Sequence, residues 1–361
     1  MRISTAWLFL LGILFVSAFV FVGDASATEY QRLYSAPRAI AMGGAFVGVA
    51  DDESALFYNP AGLAGLKNFS WNVLAANLEV SNEMLDNIPI FNSALDNPDL
   101  TTLNLLMGKN LSTRVQAGMT FAAPGFAMTG LYQMNGAVRM NNLTFPSGTL
   151  EYQTTYGGQI GFGQAVKKFK RHRGEIRYGV AGKVLFRSGG IANINMIQLL
   201  TLNSSSILAS FPGVGMGFGL DAGVQYIIPI NKKFSIMNGI SMTDIGNTTF
   251  ATGSPAQLSN FTVGTAVRYT SSEVIATLAY DHSNILDSVD WREKTHLGLE
   301  LKFAFLSLMG GLNQFHPTYG ASIDFLMAKV NYVSYAQDLG LLWNQIVERR
   351  QMLQVALKFD L

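Results

Sequence analysis

From residue 69 to the end of the chain, apolar and polar residues alternate with a period of two in one segment after another. In 261–270, Phe261, Val263, Thr265, Val267 and Tyr269 share one face, and Thr262, Gly264, Ala266, Arg268 and Thr270 share the other. In 351–361, Leu353, Val355, Leu357, Phe359 and Leu361 oppose Gln354, Ala356, Lys358 and Asp360. In 296–303, Leu297, Leu299, Leu301 and Phe303 oppose His296, Gly298, Glu300 and Lys302. In 176–187, Ile176, Tyr178, Val180, Val184 and Phe186 oppose Arg177, Lys183 and Arg187. Successive side chains of a strand point to opposite faces, so these are β-strands with one apolar and one polar face. Such strands build either a solvated sheet or a membrane barrel, apolar outside and polar within.

Segmentation on this pattern places strands at 69–80, 113–123, 125–141, 150–168, 175–188, 215–229, 234–246, 258–270, 272–284, 293–304, 306–315, 317–326, 328–338 and 350–361. That is about fourteen, an even number as bacterial outer-membrane barrels require. The connections sort by parity. Odd-numbered links run through 81–112, 142–149, 189–214, 247–257, 285–292, 316 and 339–349, and most are long. Even-numbered links (Pro124, 169–174, 230–233, Ser271, Phe305 and Met327) are short. Membrane barrels have short periplasmic turns and long outer loops, whereas a soluble sandwich has no reason to sort its loops this way.

Composition favours the barrel. Only 14% of residues are charged while 49% are hydrophobic and 36 are Gly; ordinary soluble domains carry about 25% charged residues. Disorder is excluded, since it needs low hydrophobicity and high charge. Lys and Arg number 25 against 24 Asp and Glu, a net +1, so no excess exists to neutralise nucleic-acid phosphates. With no Cys, a disulfide framework and a thiolate metal site are both excluded. The chain starts Met1-Arg2, runs through the apolar stretch 6–22 and reaches Ala25-Ser26-Ala27, a small-x-small cleavage pattern. The expected division is a signal peptide at 1–27, an N-terminal segment at 28–66 and a barrel at 67–361. A retained anchor helix is the alternative for the first stretch.

Residues 28–66 do not alternate. They are rich in Gly and Ala, with a Met42-Gly43-Gly44 turn, an Asp51-Asp52-Glu53 cluster and the run Asn59-Pro60-Ala61-Gly62-Leu63. A barrel of this size lies between filled eight-stranded barrels and open porins, so a small-residue segment packed inside would plug it. The stretch RAIAMGGAFVGVADDESALFYNPAGLAGL (38–66) resembles the N-terminal signature of the outer-membrane long-chain fatty-acid transporter family, above all its PorV/PorQ-like branch. Ser241-Met242-Thr243-Asp244-Ile245-Gly246, Gly298-Leu299-Glu300 with Gly310-Gly311-Leu312-Asn313, and Tyr335-Ala336 to Leu339-Gly340 resemble later segments of that branch. The resemblance implies a fourteen-stranded barrel, a hatch at 28–66 carrying Gly43, Gly44, Asp51, Asp52, Asn59, Pro60, Ala61 and Gly62, and passage of hydrophobic molecules. It also implies sideways release at an inward kink in the third strand, where Gly130 and Gly136 are the candidate kink points; the alternative is that these glycines face the hatch. Gln354, Ala356, Phe359 and Leu361 resemble an outer-membrane assembly signal, implying the barrel assembly machinery as a partner during biogenesis.

Enzymatic and cofactor chemistry finds little support. Gly213, Gly215, Gly217 and Gly219 precede a strand rather than a helix, so they make a small-residue strand face and not a phosphate loop. His172, His282, His296 and His316 lack a zinc-ligand spacing, and no nucleophile elbow occurs. The Asp51-Asp52-Glu53 cluster reads as a solvated turn or a hatch ion pair rather than a calcium loop. The basic cluster Lys167, Lys168, Lys170, Arg171 and Arg173 reads as a solvated turn, with anionic headgroups as a possible contact. No cofactor, metal or catalytic residue is expected. The outer segment 189–214 is unusually apolar, and Ile197, Leu200, Ile207, Leu208 and Phe211 are the expected ligand-binding residues. The alternative is that this segment packs on 81–112 through Leu85, Ile88, Ile90 and Phe91; both hold if the two form a groove. Two functions follow. One is transport of hydrophobic compounds such as fatty acids through a barrel set among outer-membrane lipids. The other is a barrel that docks secreted proteins or a secretion-system protein.

Overall fold

A computed structural model describes residues 32–96, 100–141, 147–166, 174–195, 211–340 and 342–360. The 1–27 segment and the basic cluster at 167–173 lie outside the described residues. Fourteen antiparallel strands form a closed barrel. They are β1 (Ser70–Ser81), β2 (Asn110–Ala123), β3 (Phe126–Asn141), β4 (Ser147–Val166), β5 (Glu175–Asn195), β6 (Gly215–Pro229) and β7 (Phe234–Thr243). The second half is β8 (Asn260–Thr270), β9 (Ile275–His282), β10 (Thr295–Lys302), β11 (Leu306–Asn313), β12 (His316–Phe325), β13 (Ala328–Asp338) and β14 (Val347–Asp360). Each strand pairs with its sequence neighbour, and β14 closes on β1 from Ser70↔Asp360 to Ser81↔Arg350. Closure leaves no unpaired sheet edge, the condition for a β-structure in lipid.

The period-two pattern fixes which face is which. Leu353, Val355 and Leu357 are exposed while Gln354 and Ala356 between them are buried. Phe218, Leu220, Leu278, Leu299 and Ile323 extend the exposed apolar set around the wall. The buried positions are polar: Arg114, Gln116, Gln159, Lys183, Asp221, Gln225, Asp281 and Glu300. This is the arrangement of a wall apolar outside and polar inside.

What buries the inner face is residues 32–66. They carry the short helices α1 (Pro37–Ala41) and α2 (Ala55–Tyr58) and a 3₁₀ turn at Pro60–Gly65. Ala39, Ala41, Met42, Phe46, Ala50, Leu56 and Leu63 are fully buried. The α1 helix packs on β11, β12 and β13, and the 3₁₀ turn on β4, β5 and β6, so the segment crosses the barrel interior.

The β1–β2 connection folds into α3 (Asn82–Asp96) and α4 (Leu100–Leu105). Ser81 Oγ accepts the Met84 N–H at 3.1 Å, as an N-cap does, and also the Ser112 N–H at 3.0 Å. The helix departs from helical geometry at Asn87 (φ −121°), just ahead of Pro89. Ile90 and Phe91 pack with Leu111, Val138, Met140 and Leu150, which lie on the outward face of β2–β4. This connection therefore leans on the outside of the wall instead of roofing the lumen, and Leu85 and Ile88 stay exposed.

The structure corrects the expectation for the third strand. β3 pairs with β2 without interruption from Asn110↔Arg139 to Ala123↔Phe126, and with β4 from Phe126↔Phe162 to Asn141↔Ser147. Leu131, Gln133 and Asn135 take the buried inner positions, which turns Gly130 and Gly136 outward. Neither glycine makes a kink and neither faces the N-terminal segment. A glycine weakens a strand but breaks a ladder only where an extra residue is inserted, and none is inserted here.

Candidate functional site

The lumen holds two layers: the N-terminal segment and, beside it, a cavity. Arg38 organises the first. Its Nε and Nη2 donate to the two Glu300 carboxylate oxygens at 2.7 Å each, and its Nη1 donates to Asp51 at 2.6 Å and Asp52 at 2.8 Å. Arg268 of β8 donates to the second Asp51 oxygen at 2.6 Å. Burial alone would raise the Asp51 pKa, but the Arg38 and Arg268 guanidiniums hold it well below the usual carboxylate range. The acidic cluster is thus the ion-pair reading, completed by Glu53 accepting from Asn72 Nδ2 at 2.8 Å.

Backbone groups are held as firmly. Asp281 Oδ2 of β9 accepts the Phe46 and Val47 N–H groups at 2.7 Å each. Asn59 Nδ2 donates to Val47 O at 3.0 Å and Val224 O at 3.3 Å, while its Oδ1 accepts the Ala61 N–H at 3.2 Å and caps the 3₁₀ turn that Pro60 opens. Gly43 has φ +64°, and a Cβ there would lie 2.3 Å from Leu297 O. At Gly62 it would lie 2.2 Å from Ala50 O. Gly44 and Ala61 are buried in the same segment. The structure thus gathers Gly43, Gly44, Asp51, Asp52, Asn59, Pro60, Ala61 and Gly62 into one element against the inner wall.

The cavity has a volume of about 680 Å³. Leu33, Tyr34, Phe57 and Tyr58 contribute its apolar side, Arg32, Arg139, Lys183, Arg187 and Arg350 its cations, and Glu151, Asp244 and Asp281 its carboxylates. Lys183 Nζ meets Asp221 at 2.8 Å and Asp244 at 2.9 Å. Gln159 Nε2 also donates to Asp221, at 2.6 Å. Arg187 is buried but donates only to uncharged acceptors: Thr155 Oγ1 at 2.9 Å, Pro255 O at 2.8 Å and Gln257 Oε1 at 2.9 Å. Arg139 Nε is buried without a hydrogen-bond partner. The cations of the lining outnumber its carboxylates, and such an excess of positive charge favours an anionic group in the cavity.

Of the residues expected to bind ligand, Ile197, Leu200, Ile207 and Leu208 lie outside the described residues. Phe211 is described; its ring packs 6.0 Å from that of Tyr152, and it does not line the cavity. The lining residues Lys183 and Arg187 were visible in the sequence as the charged face of β5. Asp244 lay within the resembling segment 241–246 without a pairing role, and the partners Asp221 and Gln257 carried no signal, because they come from another strand and a later connection.

The fold and this interior define a closed, internally occupied fourteen-strand barrel. Solved structures similar to it include the Pseudomonas putida toluene transporter TodX, at 11% identity and TM-score 0.49, covering 92% of this chain and 99% of that one. The Ralstonia pickettii toluene transporter TbuX is similar at 9% identity and TM-score 0.47, covering 91% and 99%. A Pseudomonas aeruginosa FadL homologue is similar at 9% identity and TM-score 0.29, covering 90% and 98%. No protein-family model and no curated protein matches the chain. Identities this low, with TM-scores below 0.5, assign neither a family nor a ligand.

Proposed function

We propose that the chain is exported by residues 1–27, is folded into the outer membrane by the barrel assembly machinery, and passes hydrophobic compounds, with long-chain fatty acids as the substrate class. The observation that carries this reading is the cavity, enclosed in a wall whose outer face is apolar and whose axial route is filled by residues 32–66, the hatch of this proposal. A water-filled porin needs an open lumen, whereas a ligand that partitions into lipid does not. The cavity volume lies in the range of small-molecule sites, roughly 300–1,000 Å³. The apolar patch from Leu33 and Phe57 beside Arg139 and Arg187 supports an amphiphile with a negative head over a neutral hydrocarbon. Capture at the apolar outer segment that includes Phe211, and sideways release into the membrane, belong to the same reading.

Uptake of labelled palmitate by cells lacking their own transporter tests it, together with lipid analysis of the purified protein. Uptake above background and bound fatty acid are expected. Absence of both would replace transport by the protein-docking reading.

A further inference from the structure

Two parts of the wall differ in how they are closed. β3 has a strand partner on each side along its whole length. β6 does not. Its pairing with β7 runs from Pro229↔Ser235 only as far as Ala222↔Met242, while its pairing with β5 continues to Gly215. Over Gly215–Asp221 the place of β7 is taken by the β7–β8 connection, 244–259. That connection reaches the β6 backbone through Ile245 N–H to Leu220 O at 2.8 Å and Ala251 N–H to Met216 O at 3.4 Å.

The connection folds inward. Cβ atoms added at Gly215, Gly217 and Gly219 would lie 2.4 Å from Thr252 Oγ1, 2.6 Å from Thr249 O and 2.4 Å from Thr248 Oγ1. The alternate glycines of β6 are therefore the floor on which the connection rests. Phe250 reaches deeper, packing with Leu33, Leu131 and Leu185, with the Arg187 guanidinium 4.6 Å from its ring centre. On its inner side the connection lines the cavity with Asp244, Pro255 and Gln257. On its outer side Ile245 is exposed next to Leu220, within the apolar exterior. One turn of chain separates cavity from exterior.

We infer that the ligand leaves the cavity sideways between β6 and β8, and that residues 244–259 are the gate of this exit with Phe250 as its stopper; the inference rests on the transport reading above. The gate moves as a unit, because Thr248 and Gln257 exchange both backbone hydrogen bonds at 2.9 Å and tie the connection to itself. Moving it breaks no strand ladder. Its turns already hold Asp244 (φ 53°), Gly246 (φ 79°), Asn247 (φ 63°) and Gly253 (φ 81°) in the left-handed region. Lys183 through Asp244, and Arg187 through Pro255 O and Gln257, latch it shut. An anionic head drawn to Arg187 competes for the donors of that latch.

The chain has no Cys, so a reversible lock introduces the sole disulfide. The pair Leu220→Cys with Ile245→Cys, at exposed positions already joined by a backbone hydrogen bond, pins the gate to β6, and labelled palmitate uptake is measured with the bond oxidised and reduced. A tenfold or greater loss on oxidation, restored by reductant in the same cells, is expected, and Phe250→Ala should raise uptake several-fold. Unchanged uptake with the bond formed, as judged on a non-reducing gel, overturns the gate and leaves transport standing. No uptake and no bound lipid in the unmodified chain overturns the transport reading, and the gate with it.

Discussion

The two faces of the same strands are held by different physics. Along β14 the outward residues Leu353, Val355 and Leu357 are exposed, and none needs a particular partner. The inward residues are pairs. Arg350 Nη1 lies 3.0 Å from Glu79, Asn331 and Gln354 are hydrogen bonded, and Arg38 reaches across to Glu300, 262 positions later. An apolar exterior tolerates any residue that lipid tolerates. A buried charge tolerates only the partner that neutralises it. Substitutions on the two faces should therefore fail in different ways.

The largest effect is expected inside. Arg38→Met removes the partner of the buried Glu300 as well as that of Asp52, and stranding buried charges in this way costs about 3–5 kcal/mol. The loss should show as protease release of the N-terminal segment and a lower unfolding midpoint. The double change Arg38→Met with Glu300→Leu should recover a good part of it, since the fully buried carboxylate is then gone, Asp51 keeps Arg268, and only the partly exposed Asp52 loses its cation. Equal loss in single and double variants would mean that packing, not charge pairing, holds the segment.

Next comes the exterior. Leu353→Arg, in the middle of β14 between Tyr332 and Leu78, should cost roughly 2–4 kcal/mol near the bilayer midplane, read as a shift in the urea unfolding midpoint in lipid vesicles. Lys358→Arg, on the inner face of the same strand, should stay within about 0.5 kcal/mol. Similar tolerance at the two positions would erase the distinction between faces.

The contrast also explains what the sequence revealed. The exterior repeats every second residue, so all fourteen strands were legible, and 215–229 and 328–338 match the observed bounds of β6 and β13. The conserving logic of the interior is long-range and has no period. The glycines of 213–219 were legible as a strand face, but not as the floor for 244–259, because the residues that press on them arrive from the next connection. The hatch cluster was legible as an ion-pair candidate, while Arg268 and Glu300 were visible only as polar positions on their strands. The β3 kink came from resemblance rather than from residues, and the uninterrupted ladder of β3 removes it.

The smallest expected effect tests the rule for inner charges where a partner is missing. Glu293 ends the β9–β10 connection, is buried, and has an Oε1 with no hydrogen-bond partner. Burial, reinforced by Asp338 and Asp290, pushes its pKa up to about 7. A carboxyl whose folded-state pKa is raised stabilises the fold fully below the ordinary glutamate range, and that contribution is lost as pH rises through about 7. The β9–β10 connection should therefore loosen between pH 5 and pH 8, by under about 1 kcal/mol once solvent screening is allowed for. Amide hydrogen exchange across residues 283–294, corrected for the intrinsic pH dependence, reads this directly. Glu293→Gln keeps the shape and removes the titration, so its protection should be flat over the same range. An identical slope in the Gln variant would assign the pH dependence to another group and show that this unpaired inner carboxyl is tolerated charged, as an exterior position would tolerate it.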